Sequence, residues 1–265
     1  MEGRKKKFIK ELMVKPKLRR ESGLYLVDGP KMACEIPAED VEEVYVTSDF
    51  LRSPHAAFCQ SLLAHTGYTE ITESEMKQIS DTVTPQGVLI VARQKRLRGL
   101  SALLSAAGEK PLLLILETIQ DPGNLGTILR ASEAAGVNGV LMNRGCADIY
   151  APKVVRSTMG AIFRVPFLAV ENLCTAVQSL KNGVGENGKM NVYAAHLKSA
   201  VDYTKADFTG GAAVMIGNES KGLSEELCAY ADQMIKIPMA GKVESLNAAM
   251  AAAIIAFEAA RQRRQ

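Results

Sequence analysis

The feature that most constrains this chain is the run 112–116, five consecutive aliphatic residues directly after Pro111. A strand with one wet face alternates apolar and polar side chains. An unbroken apolar strand must be buried on both faces, as in a parallel sheet covered by helices. Further strand candidates follow at 139–142, 164–167, 192–195, 213–216 and 234–237, with helical stretches between most of them. This alternation predicts an α/β domain with a largely parallel sheet over 111–265. Residues 1–93 predict a separate, small α/β unit with strands at 24–27, 44–47 and 87–91 and a helical stretch at 74–79. Residues 94–110 read as a linker. It opens with 94–99, which carries Lys95, Arg96 and Arg98 and ends in glycine. The Gly-rich stretch 183–188 reads as a surface loop, and no internal repeat is present.

Composition narrows the function classes. Apolar residues make up 47% of the 265 and charged residues 23%, which is globular rather than disordered. No apolar run approaches the roughly 20 residues of a membrane-spanning helix, and no signal core follows the charged N-terminus. A cytoplasmic protein with no membrane partner is the expectation. The cysteines at 34, 59, 146, 174 and 228 are odd in number and form no CxxC pair. They read as reduced, mostly buried thiols. His55, His65 and His196 have no metal-ligand spacing, so no metal is expected. The first 20 residues hold nine Lys/Arg against Glu2 and Glu11, although the whole chain carries only +3. A basic arm on a near-neutral body suits phosphate contacts. A solvated, frayed terminus would look the same.

Three segments carry candidate chemistry. In the first, Asp121-Pro122-Gly123-Asn124 leaves the end of the buried strand and opens a helix containing Gly126 and Arg130. Ligands of parallel sheets bind beyond the carboxyl ends of strands. Asn124 suits an N-cap. Gly126 costs about 1 kcal/mol relative to Ala inside a helix, a cost explained if something approaches the backbone there. Arg130 could simply pair with Glu133 on the helix surface. In the second segment a strand runs into Gly217-Asn218-Glu219, and Ser224 suits the cap of the next helix. Gly217 would let a ligand press on the backbone. In the third, Ile237 to Asn247 leads into an alanine-rich helix running from Ser245 to about Gln262. Ser245 suits its N-cap, and the alanines suit a packed dimer face. Glycine and asparagine recur at three strand ends, which suggests one shared pocket.

The segments NLGTILR (124–130), IGNESKGLS (216–224) and IPMAGKVESLN (237–247) resemble the SpoU (TrmH-type) branch of the SPOUT RNA methyltransferases. LYLVDGP (24–30) and TPQGV (84–88) are similar to the small substrate-binding domain many members carry, so the resemblance covers roughly residues 18–260. Asp28 stands where Glu is more usual, and Ala248-Ala249 replaces a more typical Val-Ser. Ala195-His196-Leu197, which the resemblance would put on the adenosine side, does not match the family firmly, which leaves His196 as a candidate only. The resemblance implies an α/β fold whose C-terminal part is tied in a trefoil knot, an exception to the usual topology rules. It implies S-adenosyl-L-methionine as methyl donor, held by Gly217, Asn218, Glu219, Ile237, Met239, Leu246 and Asn247. It implies catalysis by Asn124, Arg130, Glu219, Ser245 and Asn247. It implies a homodimer joined through the knot and C-terminal helix, and 2′-O-methylated RNA as product, rRNA ahead of tRNA.

The chemistry so implied needs no metal, because a sulfonium is already a good leaving group. Arginine's pKa above about 12 makes Arg130 an awkward base. It suits a cation that stabilises a developing alkoxide and grips a phosphate. Asn124, Ser245 and Asn247 would position the sugar and the arginine. Glu219 either orients the loop or acts as base, and the two readings stay open. The N-terminal unit, the basic arm and Arg261, Arg263 and Arg264 would contact RNA. Three alternatives compete: a non-catalytic RNA-binding protein on the same fold, methylation of a base, and a nucleotide-dependent oxidoreductase. The last would carry a G-x-G-x-x-G turn, which the first strand–helix junction lacks.

Overall fold

The computed structural model describes residues 1–105, 107–184, 188–199 and 201–264. Of the expected loop 183–188, residues 185–187 lie outside the described residues. The chain forms two compact units, one of Met1–Lys95 with Asp148–Phe163, the other of Arg96–Ala147 with Arg164–Gln265. Residues 148–163 thus group with the first unit, although they follow the first two strands of the second in sequence.

The first unit holds β1 (Leu24–Asp28), β2 (Val41–Val46), β3 (Thr69–Glu70) and β4 (Val88–Arg93) in the order β1-β4-β2-β3. β4 runs antiparallel to β1 and β2, and β3 runs parallel to β2. β3 has only two residues, both exposed, so it left no apolar signal in the sequence. The basic arm is ordered. Helix Gly3–Val14 drops Ile9 and Leu12 into a core with Leu26, Tyr45, Met76, Ile79, Leu89 and Val91. Burial of those two side chains, worth about 1.5–3 kcal/mol each, holds the helix and excludes a frayed terminus. Arg19 is only 3% exposed. It donates from Nε to Asp148 at 2.8 Å and from Nη1 to the carbonyl of Met13 at 2.8 Å. It is a structural cation of this unit rather than a phosphate contact. Helix Pro152–Thr158 lies against β1, and the Tyr25 and Tyr150 rings sit 4.6 Å apart.

The second unit is the α/β domain. β5 (Leu112–Leu116), β6 (Gly139–Asn143), β7 (Phe167–Val170), β8 (Asn191–Ala195), β9 (Ala212–Ile216) and β10 (Gln233–Ile235) form one sheet, ordered β10-β8-β9-β5-β6-β7. Every pairing in it is parallel. The strand expected at 164–167 starts three residues later, because Arg164 ends the short helix Ala161–Arg164. β5 is buried on both faces, as an unbroken apolar strand requires. Leu113 and Ile115 join a cluster with Leu103, Leu104, Leu141, Val177, Leu180 and Met215. Helices Pro122–Ala135 and Ala248–Arg263 cover the sheet as well, resting on β6 and β9 respectively.

These two helices also pack on each other. Ala248, Ala249, Ala252, Ile255, Ala256 and Ala259 form a buried helical stripe, and the facing helix buries Leu125, Gly126, Ile128 and Leu129. Gly126 and five of the alanines are thus buried within one chain, while Ala251, Ala253 and Ala260 stay partly exposed. The last helix begins at Ala248, not Ser245, and Asn247 caps it. Arg263 closes its far end by donating to the carbonyls of Phe208, Lys110, Pro111 and Gly210. Burial pulls its pKa down. Arg261 pairs with Glu258. Of the arginines expected at RNA, Arg263 is thus committed to the fold. No helix among the described residues is long and apolar enough to cross a membrane.

Candidate active site

Parallel strands bring their carboxyl ends to one edge, where loops can hold a ligand. β5 and β9 are direct neighbours, so the segments after Leu116 and Ile216 start side by side. The third segment follows β10 on the same parallel sheet.

Asp121, not Asn124, caps helix Pro122–Ala135. Its Oδ1 accepts from the Asn124 amide at 2.8 Å, and Pro122 occupies the first helical position. This frees the Asn124 side chain. Its Nδ2 donates to Glu219 Oε1 at 2.9 Å, and its Oδ1 accepts from Asn247 Nδ2 at 2.9 Å. Asn247 Oδ1 in turn accepts from the backbone of Ala249 at 2.9 Å and Met250 at 3.3 Å. One chain of side-chain hydrogen bonds, Glu219–Asn124–Asn247, therefore ties all three segments together.

Glu219 is a hub. Besides Asn124 it accepts from Asn218 Nδ2 at 3.3 Å and from the backbone of Asp121 and Gln120 at 3.4 and 3.5 Å. Partial burial pushes its carboxyl up. The bonds from Asn124 and the backbone outweigh that and leave its pKa below the ordinary value. An acid held this firmly in its charged form is a weak base. Asn218 also donates to the carbonyl of Thr118 at 2.8 Å. Its Oδ1 caps the turn at the amides of Ser220 and Lys221.

Gly217 has a sharper reason than ligand approach. A Cβ there would lie 2.2 Å from the backbone of Gly222 and Leu223. The 218–222 turn folds back over Gly217 on the side a Cβ would occupy. The stretch Ile237 to Leu246 behaves differently. Among the described residues its backbone makes no hydrogen bond, although Ile237, Met239 and Leu246 are half-buried. Its backbone groups are therefore open to solvent or to a ligand.

Arg130 is exposed and, among the described residues, has no hydrogen-bond or ion-pair partner. Glu133, its expected mate, instead pairs with Arg164. Ser245 is exposed and likewise unpartnered. Direct bonds bring together Asn124, Asn218, Glu219 and Asn247. They do not reach Arg130, Ile237, Met239, Ser245 or Leu246. His196 accepts at Nδ1 from the Lys198 amide and is tied to its own loop.

The sequence reading missed three supporting residues. Glu117 accepts from the Ser224 amide and hydroxyl, both at 2.7 Å, and anchors the end of the second segment. Thr118 has a φ of 58°, uncommon for a non-glycine residue and costly, by roughly 1–3 kcal/mol. Asn143 holds it there: its Oδ1 accepts from the Thr118 amide and its Nδ2 donates to the Thr118 hydroxyl, each at 2.9 Å. The available signal was a polar residue placed right at the end of an apolar strand, at 117 and again at 143.

Comparison with known proteins gives the family. Residues 111–257 match the SpoU rRNA Methylase family and residues 4–90 the MRM3-like substrate binding domain. The mitochondrial rRNA methyltransferase 3A of Danio rerio is 32% identical over 92% of this chain, which spans 65% of that protein. The 23S rRNA (guanosine-2′-O-)-methyltransferase RlmB of Xylella fastidiosa (strain Temecula1) is 34% identical over 73% of this chain and 77% of its own length. The crystal structure of the SpoU methyltransferase AviRb from Streptomyces viridochromogenes, in complex with its cofactor AdoMet, superposes with a TM-score of 0.83. It is 25% identical and covers 100% of this chain and 99% of its own. A family match over more than half the chain, on a fold shared end to end, means that this protein belongs to the SpoU rRNA methylase family.

Proposed function

We propose that the protein transfers the methyl group of S-adenosyl-L-methionine to a ribose 2′-hydroxyl of ribosomal RNA. The observation that carries this reading is the Glu219–Asn124–Asn247 chain, which ties three strand ends together; Arg130 lies further along the same helix as Asn124. The names of the relatives, rRNA methyltransferases and a guanosine-2′-O-methyltransferase among them, support the reaction class.

The donor fits the residues present. The unpaired backbone at the partly exposed Ile237, Met239 and Leu246 suits a purine edge, and Gly217, Asn218, Glu219 and Asn247 complete the set. When bound, it supplies an electrophilic methyl group on a positively charged sulfur. Arg130 stabilises negative charge developing on the ribose oxygen and pairs with a neighbouring phosphate. Guanidinium keeps its proton near neutral pH, so the hydroxyl proton leaves to that phosphate or to solvent. Glu219 orients Asn124 and the 217–222 loop rather than taking the proton. Asn124, Ser245 and Asn247 hold the sugar in line, and alignment of this kind is equivalent to effective molarities on the order of 10⁵ M or more.

RNA would lie on the first unit, where Arg4, Lys6, Lys7 and Lys10 of helix Gly3–Val14 have no side-chain hydrogen bond or ion pair among the described residues. The 2′-hydroxyl itself selects RNA over DNA. A homodimer belongs to this reading, supported by Met250 and Phe257, which are 61% and 46% exposed on the last helix away from its buried stripe. So does the trefoil knot, supported by the full-length similarity to AviRb. The enzyme works wherever its ribosomal RNA is made. That is the cytoplasm in the expectation above, and the mitochondrion by the zebrafish relative's name.

The test is methyl transfer from labelled donor to total rRNA and to tRNA, wild type beside Arg130→Ala, with nuclease mapping of the product. Label in a 2′-O-methyl nucleotide of rRNA, lost in the variant, is the expected result. No label in either pool, with no donor binding by calorimetry, would leave an RNA-binding protein on the same fold.

A further inference from the structure

We infer that Cys34 and Cys59 form a dithiol site in the first unit that hydrogen peroxide closes to a disulfide. The two residues are 25 apart in sequence and belong to no CxxC motif, so sequence alone left them as isolated thiols. The fold brings their sulfurs to 2.6 Å. Cys34 caps the end of helix Pro30–Ala33, and Cys59 sits between helices Pro54–Phe58 and Gln60–Thr66. Among the described residues no other two cysteine sulfurs lie within hydrogen-bond distance of each other.

The pair is asymmetric in a way that assigns roles. Cys34 is exposed and Cys59 is 1% exposed, so a small oxidant in solution meets Cys34 first. Burial, then the hydrogen bond and charge of Cys34, push the Cys59 thiol well up. The proton therefore stays on the buried sulfur while Cys34 reacts. The Cys34 thiolate attacks one peroxide oxygen and the O–O bond breaks. Cys34 becomes a sulfenic acid, and the departing hydroxide takes a proton to become water. Cys59 then attacks the Cys34 sulfur, the S–O bond breaks, and the hydroxide released takes up the Cys59 proton as a second water. Two thiols lose two hydrogens in total, and one peroxide is reduced to two waters. This follows the general route from sulfenic acid to disulfide. The tendency of an exposed thiol with a neighbouring resolving thiol to react this way is also general.

The bridge would change the unit locally. Cys59 Sγ also lies 3.7 Å from the carbonyl of Pro30, next to Asp28-Gly29 at the end of β1. A Cys34–Cys59 bond would staple that segment to the helices around Cys59 and close a covalent loop containing β2.

Full-length protein is exposed to graded hydrogen peroxide, remaining thiols are blocked with iodoacetamide, and products are read by intact mass and peptide mapping. The expected result is loss of two hydrogens, a Cys34–Cys59 cross-linked peptide, and a thermal midpoint raised by several degrees that dithiothreitol reverses. In Cys34→Ser, with a native circular dichroism spectrum, the cross-link and the shift are absent. In Cys59→Ala, Cys34 runs on to sulfinic acid for want of a resolving thiol. Wild-type protein in which both residues stay alkylatable, or in which Cys34 reaches sulfinic acid without bridging, would overturn the inference.

Discussion

Replacing Glu219 by Gln separates an organising carboxylate from a catalytic base. The carboxylate accepts its strongest bond from Asn124 Nδ2 at 2.9 Å and a second from Asn218 Nδ2 at 3.3 Å. A glutamine that keeps its carbonyl toward Asn124 turns its NH₂ toward the Asn218 amide, donor against donor. Hydrogen bonds to a charged group contribute about 1.5–3 kcal/mol and neutral ones about 0.5–1.5. Losing charge assistance at Asn124 therefore costs about 1–1.5 kcal/mol. Losing the longer Asn218 bond adds about 0.5 kcal/mol, at the low end because the site is solvent-accessible. The sum, about 1.5–2 kcal/mol, corresponds to roughly 10–30-fold at about 1.4 kcal/mol per decade. It is expected as weaker donor binding by calorimetry and as a similar fall in single-turnover methyl transfer. The pH–rate profile should keep its wild-type shape. The Glu219 pKa already lies below the ordinary carboxylate value, so its hydrogen bonds persist above that pH and fail only as pH drops through the lowered pKa. A base would behave otherwise. Gln would then cut the rate by about 10²–10⁴, erase the acidic limb of the profile, and leave donor affinity unchanged. That pattern would refute the organising role.

Three further perturbations test the scaffold. Gly217→Ala places a Cβ 2.2 Å from the Gly222–Leu223 backbone. It should cost about 1–3 kcal/mol by thermal unfolding and abolish donor binding; unchanged donor affinity would detach this loop from the donor site. Asn247→Ala removes the cap of the last helix, worth about 1 kcal/mol. A double-mutant cycle with Asn124→Ala should return a coupling of about 0.5–1.5 kcal/mol in stability, and no coupling would mean the 2.9 Å bond contributes nothing. Arg263→Ala strips the carbonyls of Phe208, Lys110 and Gly210 of their donor, while Pro111 keeps the Ala212 amide. It should destabilise by about 2–4 kcal/mol, while RNA affinity at equal folded fraction stays within a factor of about two, since its guanidinium is committed to the fold. A uniform loss of RNA affinity would return Arg263 to the RNA surface.

Composition and order of residues determined the architecture of the second unit. The run 112–116 had to be buried on both faces, and the alternation that follows permits little besides a parallel α/β sheet. The three segments at strand ends were also legible, because glycine, asparagine and a lone acid there have few structural excuses. What each residue does was decided by tertiary contact. The N-cap reading of Asn124 failed because Asp121 stands three residues earlier with its own oxygen in reach, and that displacement is what frees Asn124 to join Glu219 to Asn247. Gly217 and several of the terminal alanines also pack closely against the chain's own turn and helix, which the sequence did not show. Arg19 and Arg263 counted as surface charge, yet carbonyls far along the chain or across a turn absorb them. Neither the contact between Cys34 and Cys59 nor the grouping of 148–163 with the first unit leaves any periodic trace. Periodicity reports which side of an element is buried. It carries no information on which distant residue does the burying, and that pairing turned three loops into one site.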